Sequence, residues 1–220
     1  MDCSAAAVHR MAQEGCDWAG LDAVWVSHFH LDHCGGLAPL LFGMKHAPET
    51  QKRTKPMSVF GPAGLRKHIE TFDSAYDYGL LRQPFPLEIL EVAAGRKIEM
   101  AGLEASFFST PHTDDSHAIR LQAPDGESFV YTSDTGYSTN LGVFARDVDL
   151  LLAECSFVTE TPVKIHMDAG HIVQMARFAR AKRIVLTHLY PEWDGREAEA
   201  LAMLEGLNVE IAFDGMRVEI

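Results

Sequence analysis

No run of apolar residues in this 220-residue chain approaches the roughly 18 needed to cross a bilayer, so no membrane-spanning helix and no membrane partner is expected. The opening Met1-Asp2-Cys3-Ser4-Ala5-Ala6-Ala7 has neither a basic start nor a long apolar stretch, and does not read as a secretory signal. Cysteine is scarce: Cys3, Cys16, Cys34 and Cys155 are scattered without a CxxC pair, which fits reduced thiols and a cytoplasmic setting. Positive charge is also in deficit, with 19 Lys and Arg against 31 Asp and Glu and a net charge of −12. That balance argues against broad binding to nucleic acid, where Lys and Arg must neutralise phosphates. There is no internal repeat and no low-complexity linker. What remains is an ordinary globular composition, 47% hydrophobic and 23% charged, long enough for a real core and read as one domain over residues 1–220.

The feature that stands out is Ser27-His28-Phe29-His30-Leu31-Asp32-His33-Cys34-Gly35-Gly36, which follows the apolar Ala23-Val24-Trp25-Val26. Imidazole nitrogens and carboxylate oxygens ligate zinc and similar divalent ions, and three histidines and an aspartate in six residues suggest a metal site. The bland alternative is a solvated polar turn. A strand ending at the histidines would hold their bases in a sheet while their heads face a cleft. The glycine pair is expected to turn the backbone tightly into the next segment.

Taken in order, the chain reads as a helix over 5–14 with Ala6, Val8, Met11 and Ala12 as candidate buried positions, then a strand over 21–26. A short apolar helix from Leu37 leads into a basic loop, 45–55, holding Lys45, His46, Lys52, Arg53 and Lys55. Its plain reading is a solvated loop, its functional reading a mobile flap that attracts an anion. A strand over 57–60 and a helix over 63–74 follow, with His68 expected on the surface. From Leu87 the pattern predicts an antiparallel meander of strands over 87–92, 97–100, 103–108, 118–122 and 128–132. Next come a helix near 141–145, a strand over 150–153, a helix N-capped by Asp168, and a strand over 183–187. A helix over 197–204 and two closing strands, 209–213 and 216–220, end it. Polar ligand types recur at strand ends, and the whole is a mixed α/β (α+β) arrangement of sheets covered by helices.

Seven candidate ligands stand at those ends: His28, His30, Asp32, His33, His112, Asp134 and His188. They are too many for one tetrahedral ion and suit two, with a carboxylate such as Asp134 bridging. Zinc is the first expectation for the two divalent ions, with manganese and iron as alternatives. Two such ions can hold a hydroxide between them and bring its pKa towards neutrality. They outweigh two carboxylates and a hydroxide, leaving a net positive site for a small anionic substrate.

This constellation resembles the metallo-β-lactamase superfamily over nearly the whole chain, to the closing Ala212-Phe213-Asp214-Gly215-Met216. The resemblance implies a four-layer αββα sandwich. It also implies His28, His30 and His112 on the first metal, Asp32, His33 and His188 on the second, and Asp134 between them. His117 is the rival to His112, and His171 reads as structural or exposed. His166-Met167-Asp168 is similar to the His-x-Thr segment of ribonuclease Z-like phosphodiesterases, with Asp168 in place of threonine. By that likeness His166 protonates the leaving group or stabilises the phosphate, and Glu154 orients it. Asp32 would be both ligand and base for the hydroxide. The family's N-terminal strands precede an Asp-containing turn, which by the resemblance Asp2 represents, so the first strands are expected to be missing. The sheet edge thereby exposed would need a cover, for which a homodimer is the expectation.

The resulting expectation is a dinuclear metal-dependent hydrolase that cleaves a small phosphodiester, open or cyclic, through a metal-bridging hydroxide. Processing of tRNA is disfavoured, because no basic arm separates His112 from Asp134. Lactone or thioester hydrolysis on the same metals is the enzymatic alternative. A catalytically impaired metal-binding regulatory protein is the alternative from another class.

Overall fold

The computed structural model describes all 220 residues, which group into two compact units, 1–93 and 94–220, each with its own core. None of its helices is long and apolar enough to cross a membrane.

The first unit opens with α1 (Ala7–Gln13), shorter than the sequence suggests and with no fully buried side chain. Its sheet consists of β1 (Ala23–Trp25), β2 (Met57–Gly61) and β3 (Leu87–Glu91), all parallel, in the order β1-β2-β3. The meander expected from Leu87 onward is corrected here, since β3 joins this parallel sheet and only the strands from Lys97 form the meander. Alternation of apolar residues marks a strand but carries no information about its partner.

Three helices complete the unit: α2 (Leu31–Cys34), α3 (Leu37–His46) and α4 (Leu65–Ser74). In α3, Leu37, Leu40, Leu41 and Met44 recur at one face and are fully buried, each burial stabilising by about 1.5–3 kcal/mol. Pro39 sits in its first turn, where a missing N–H breaks no helical bond.

The flap reading of residues 45–55 is also overturned. Lys45 lies in the last turn of α3 and donates to the Tyr78 carbonyl at 2.8 Å. Arg53 donates to the carbonyls of Ala19 and Leu21, both at 2.7 Å, and its guanidinium lies 4.8 Å from the Phe85 ring centre. Lys55 pairs with Asp22. Much of this positive charge is committed to fastening the segment down.

The second unit holds β4 (Lys97–Met100), β5 (Leu103–Ser109), β6 (His117–Gln122), β7 (Ser128–Tyr131), β8 (Leu150–Glu154), β9 (Arg183–Thr187) and β10 (Val209–Ile211). They form one sheet in the order β10-β9-β8-β7-β6-β5-β4, antiparallel from β4 to β7 and parallel from β7 to β10. The last expected strand, 216–220, has no regular structure.

α5 (Thr139–Phe144), α6 (Ala169–Ala179) and α7 (Glu197–Met203) accompany the sheet. α6 buries Ile172, Met175, Ala176 and Ala179, and Asp168 caps its start with His171 in a reciprocal capping box. β5, β7, β8 and β9 run in the same direction, so their C-terminal ends lie at one edge. His112, Asp134, Glu154 and His188 follow or close these four strands.

Asp149 pins β7 beside β8. It accepts from Lys182 Nζ at 2.6 Å and from the Ser128 backbone N–H and hydroxyl at 2.8 and 2.9 Å. The Lys182 bond first, and the Ser128 bonds with it, hold the carboxyl down at about 2. A depressed carboxyl stabilises the fold above its unfolded value and loses that contribution as pH falls through about 2. An Asp149→Asn variant is therefore expected to melt below wild type at pH 7, with the gap narrowing below pH ~4 and closing near pH ~2. Thermal melts across that range test it, and a gap independent of pH would contradict it.

Candidate active site

Within the first unit lie His28, His30, Asp32 and His33 of the candidate donors. Past β1 the chain stays extended, Val26 N–H bonding Phe60 O at 2.8 Å, and delivers the buried Ser27 and His28. His30 occupies the N-cap position of α2 without a side-chain capping bond, and α2 carries Asp32 and His33, so the candidate metal motif continues into a helical turn. The His28 ring centre lies 4.6 Å from that of His30 and 4.2 Å from that of His33.

Asp2, held at φ 51°, lies beneath this group. Its carboxylate accepts from Ser27 N–H at 2.7 Å, Ser27 Oγ at 3.0 Å and His33 Nδ1 at 2.8 Å. An ionised carboxylate only accepts, so His33 carries its proton on Nδ1 and, when neutral, presents a lone pair on Nε2. That Nε2 is 3.6 Å from Asp32 Oδ2. Such a carboxylate–imidazole support is how proteins aim a histidine at a metal.

Gly36 contributes through proximity. Its φ is an ordinary −86°, but a Cβ there would collide with the Ser4 carbonyl. The expected tight turn at the glycine pair is therefore a close approach between the irregular N-terminal segment at Cys3-Ser4 and the start of α3.

Within the second unit lie His112, Asp134 and His188. Asp134 follows Ser133, which is forced to φ 55°, and the Thr110 hydroxyl donates to the Asp134 carbonyl at 2.9 Å. The side chain is 2% exposed, and one of its oxygens, Oδ2, lies 3.2 Å from His188 Nε2 and 3.7 Å from His112 Nε2. His112 Nδ1 donates to the Ile165 carbonyl at 3.0 Å, which leaves a lone pair on its Nε2. His188 is itself at φ 57°. Left-handed backbone at Asp2, Ser133 and His188 costs about 1–3 kcal/mol each and is typical of residues positioned for function.

Imidazole lone pairs directed at a carboxylate repel it unless a cation lies between them. In both units the donor set therefore fits a divalent ion of the zinc type. The rival His117 lies in β6 opposite Ser109, with Nδ1 on the Asp115 carbonyl, and takes no part in this cluster. His68, expected on the surface, is half-buried against Phe29 at 4.8 Å, with Nε2 3.4 Å from Cys34 Sγ. Burial pushes the Cys3 thiol up to about 11 and raises that of Cys155 as well, so neither offers a thiolate at neutral pH.

Glu154, wholly buried at the end of β8, organises the rest. It accepts from His166 Nδ1 at 2.9 Å, from the backbone N–H groups of Thr135, Ser156 and Met167 at 3.0, 3.0 and 3.2 Å, and from Ser156 Oγ at 3.1 Å. Glu154 and His166 thus share a direct hydrogen bond. His166 Nε2 lies 3.3 Å from the Tyr190 hydroxyl, and its ring stacks at 5.4 Å on His188. Gly136 sits where a Cβ would strike the Lys164 carbonyl, which brings the loop after Asp134 against the one before His166.

Ser156 and Tyr190 escape sequence reasoning. A serine two residues past a strand-end glutamate and a tyrosine two past a histidine carry no motif by themselves. The sequence marks Asp2 only as a turn residue. Its support of His33 makes Asp2→Ala a sharp test: metal affinity is expected to fall by about 10–100-fold, measured by zinc titration calorimetry. An unchanged affinity would remove Asp2 from this role.

The family model for the beta-lactamase superfamily domain matches residues 2–189. The chain belongs to that superfamily and has the metallo-β-lactamase fold, a scaffold of metal-dependent hydrolases. Its sequence is 27% identical over 201 residues to YhfI from Bacillus subtilis, spanning 89% of this chain and 77% of that one. The crystal structure of YhfI, described as a metallo-beta-lactamase fold protein, superposes with a TM-score of 0.76 at 25% identity, covering 98% of this chain and 83% of YhfI. Ribonuclease Z from Methanosarcina acetivorans is 24% identical over 273 aligned positions, spanning 100% of this chain and 87% of that enzyme. A diphosphatase from the PhnP family shares the fold at a TM-score of 0.76 and 18% identity, covering 100% of this chain and 78% of its own. An uncharacterized protein from Mycobacterium leprae, 26% identical over 191 residues, is matched over 83% of this chain but only 65% of its own length.

Proposed function

We propose that the protein is a dinuclear metal-dependent hydrolase of the ribonuclease Z-like branch, acting on a small phosphodiester, open or cyclic. The observation that carries the phosphodiester reading is the Glu154–His166 pair, a buried carboxylate 2.9 Å from an imidazole that stands beside His188. In this reading His28, His30 and His112 would hold one divalent ion and Asp32, His33 and His188 a second, with Asp134 available to both. Bound there, the ions supply Lewis-acid stabilisation of negative charge and a water made acidic enough to attack near neutral pH.

The protein's own residues supply the remainder. His112 and His33 are pre-set with their protons on Nδ1, so both arrive with Nε2 ready to ligate. Asp32 accepts the proton of the attacking water. His166, as an imidazolium balanced by Glu154, gives its Nε2 proton to the departing alkoxide, and Tyr190 beside that nitrogen orients it.

A small substrate suits the segment between His112 and Asp134, which is occupied by β6, β7 and their turn, with no room for a basic arm that grips tRNA. The ribonuclease Z likeness supports phosphodiester chemistry. The test is turnover of bis(p-nitrophenyl) phosphate by zinc- or manganese-loaded protein beside a thioester and a lactone panel. Preferred phosphodiester cleavage is expected. Turnover of the lactone or thioester alone, or of nothing with any metal, would overturn the proposal.

A further inference from the structure

Ser156 is fully buried, and its hydroxyl touches three groups: Glu154 Oε2 at 3.1 Å, His188 Nδ1 at 3.0 Å and His166 Nδ1 at 3.3 Å. A hydroxyl has one proton to give. His166 has no use for it, because its own Nδ1–H is directed at Glu154 Oε1, 2.9 Å away. The alternative tautomer would set a lone pair against the carboxylate. The Ser156 proton therefore goes either to Glu154 or to His188, and the choice depends on which nitrogen of His188 carries hydrogen.

When His188 Nε2 must offer a lone pair, its proton sits on Nδ1 and is donated to Ser156 Oγ. Ser156 then donates to Glu154. When Nε2 is protonated instead, it donates to Asp134 Oδ2, 3.2 Å away, and Nδ1 accepts from Ser156. Glu154 then loses one of its donors and holds His166 in a different balance. No proton is gained or lost between the two arrangements; one moves from Nε2 to Nδ1 of the same ring, and the serine hydroxyl rotates.

We propose that Ser156 is a positioning residue, a two-way hydrogen-bond relay that couples the tautomer of His188 to the Glu154–His166 pair. Ligation of a divalent ion at His188 would thus be signalled to His166 without contact between ion and acid. This rests on the reading of His188 as a metal ligand and extends it.

The test uses the full chain, zinc as the probe, and 15N-labelled histidine in wild type, Ser156→Ala and Ser156→Thr. In wild type, zinc is expected to place His188 in the Nδ1–H form and to shift the His166 Nδ1 resonance. Ser156→Ala is expected to weaken zinc binding by about 10–100-fold, the usual effect of removing a support behind a ligand, and to abolish the His166 shift on loading. Ser156→Thr, which keeps the hydroxyl, is expected to restore both.

A zinc-loaded wild type with His188 Nδ1 unprotonated would overturn the relay, even if neither variant folds. So would a Ser156→Ala protein with zinc affinity within twofold of wild type and an unchanged His166 shift. If wild type takes up no zinc, or His188→Ala takes up as much, the metal-site reading fails, and the relay fails with it. Normal wild-type uptake beside an indifferent Ser156→Ala defeats the relay alone.

Discussion

Replacing Asp134 by alanine is expected to lower hydrolysis by more than about 10³-fold, equivalent to roughly 4 kcal/mol of transition-state stabilisation. Asp134 is the one carboxylate on which His112 and His188 both converge, with a single oxygen 3.7 and 3.2 Å from their Nε2 atoms. If that oxygen is a shared ligand, its loss removes charge from two ions at once, which no other single side chain here would do. Elemental analysis should therefore find fewer than the two ions per chain expected for wild type. A second signature separates this from simple unfolding. A ligand that binds only the native state raises the melting temperature in proportion to its affinity, so zinc should stabilise wild type and leave Asp134→Ala nearly unmoved. A variant that keeps two ions and its zinc-dependent melting shift would rule out the bridging role.

His166→Ala is expected to separate chemistry from metal binding. Loss of a positioned general acid costs about 10²–10⁴-fold in turnover. His166 holds no ion in the proposed assignment, so zinc affinity should stay within about twofold of wild type. The loss should shrink for substrates whose leaving group is a weak base, such as p-nitrophenolate, because these depart without a proton. Assays with an alkyl and an aryl phosphodiester make that comparison. An equal loss on both would assign His166 to holding the phosphate, and an unchanged rate on both would remove it from the mechanism. Glu154→Gln should follow the same pattern more weakly, since the amide still faces Nδ1 but cannot balance an imidazolium.

The parts of the fold legible in the sequence are those fixed by local patterning. β4 and β9 fall where alternation and apolar runs place them, and Asp168 caps α6 as its position before an apolar face implies. The candidate ligands were legible because a metal site needs specific residue types, and the chain sets them where strands end. The pairing of β3 was not legible, since Leu87–Glu91 looks the same in a parallel sheet as in a meander. The anchoring role of Arg53 was hidden for a similar reason: its partners are backbone carbonyls of residues 19 and 21, and carbonyls leave no trace in a sequence. Ser156 shows the limit most clearly. Its significance comes from three contacts, two of them to histidines 10 and 32 residues away, that only the folded chain brings together.

The Ile165 carbonyl, which receives the His112 Nδ1 proton, comes from a loop whose side chains Val163 and Ile165 are 39% and 41% exposed. What His112 requires from that loop is a peptide oxygen, and every amino acid supplies one. Outward-facing residues can therefore be exchanged freely while the imidazole keeps its orientation. The loop has one part under strict constraint and one part under almost none, a few atoms apart.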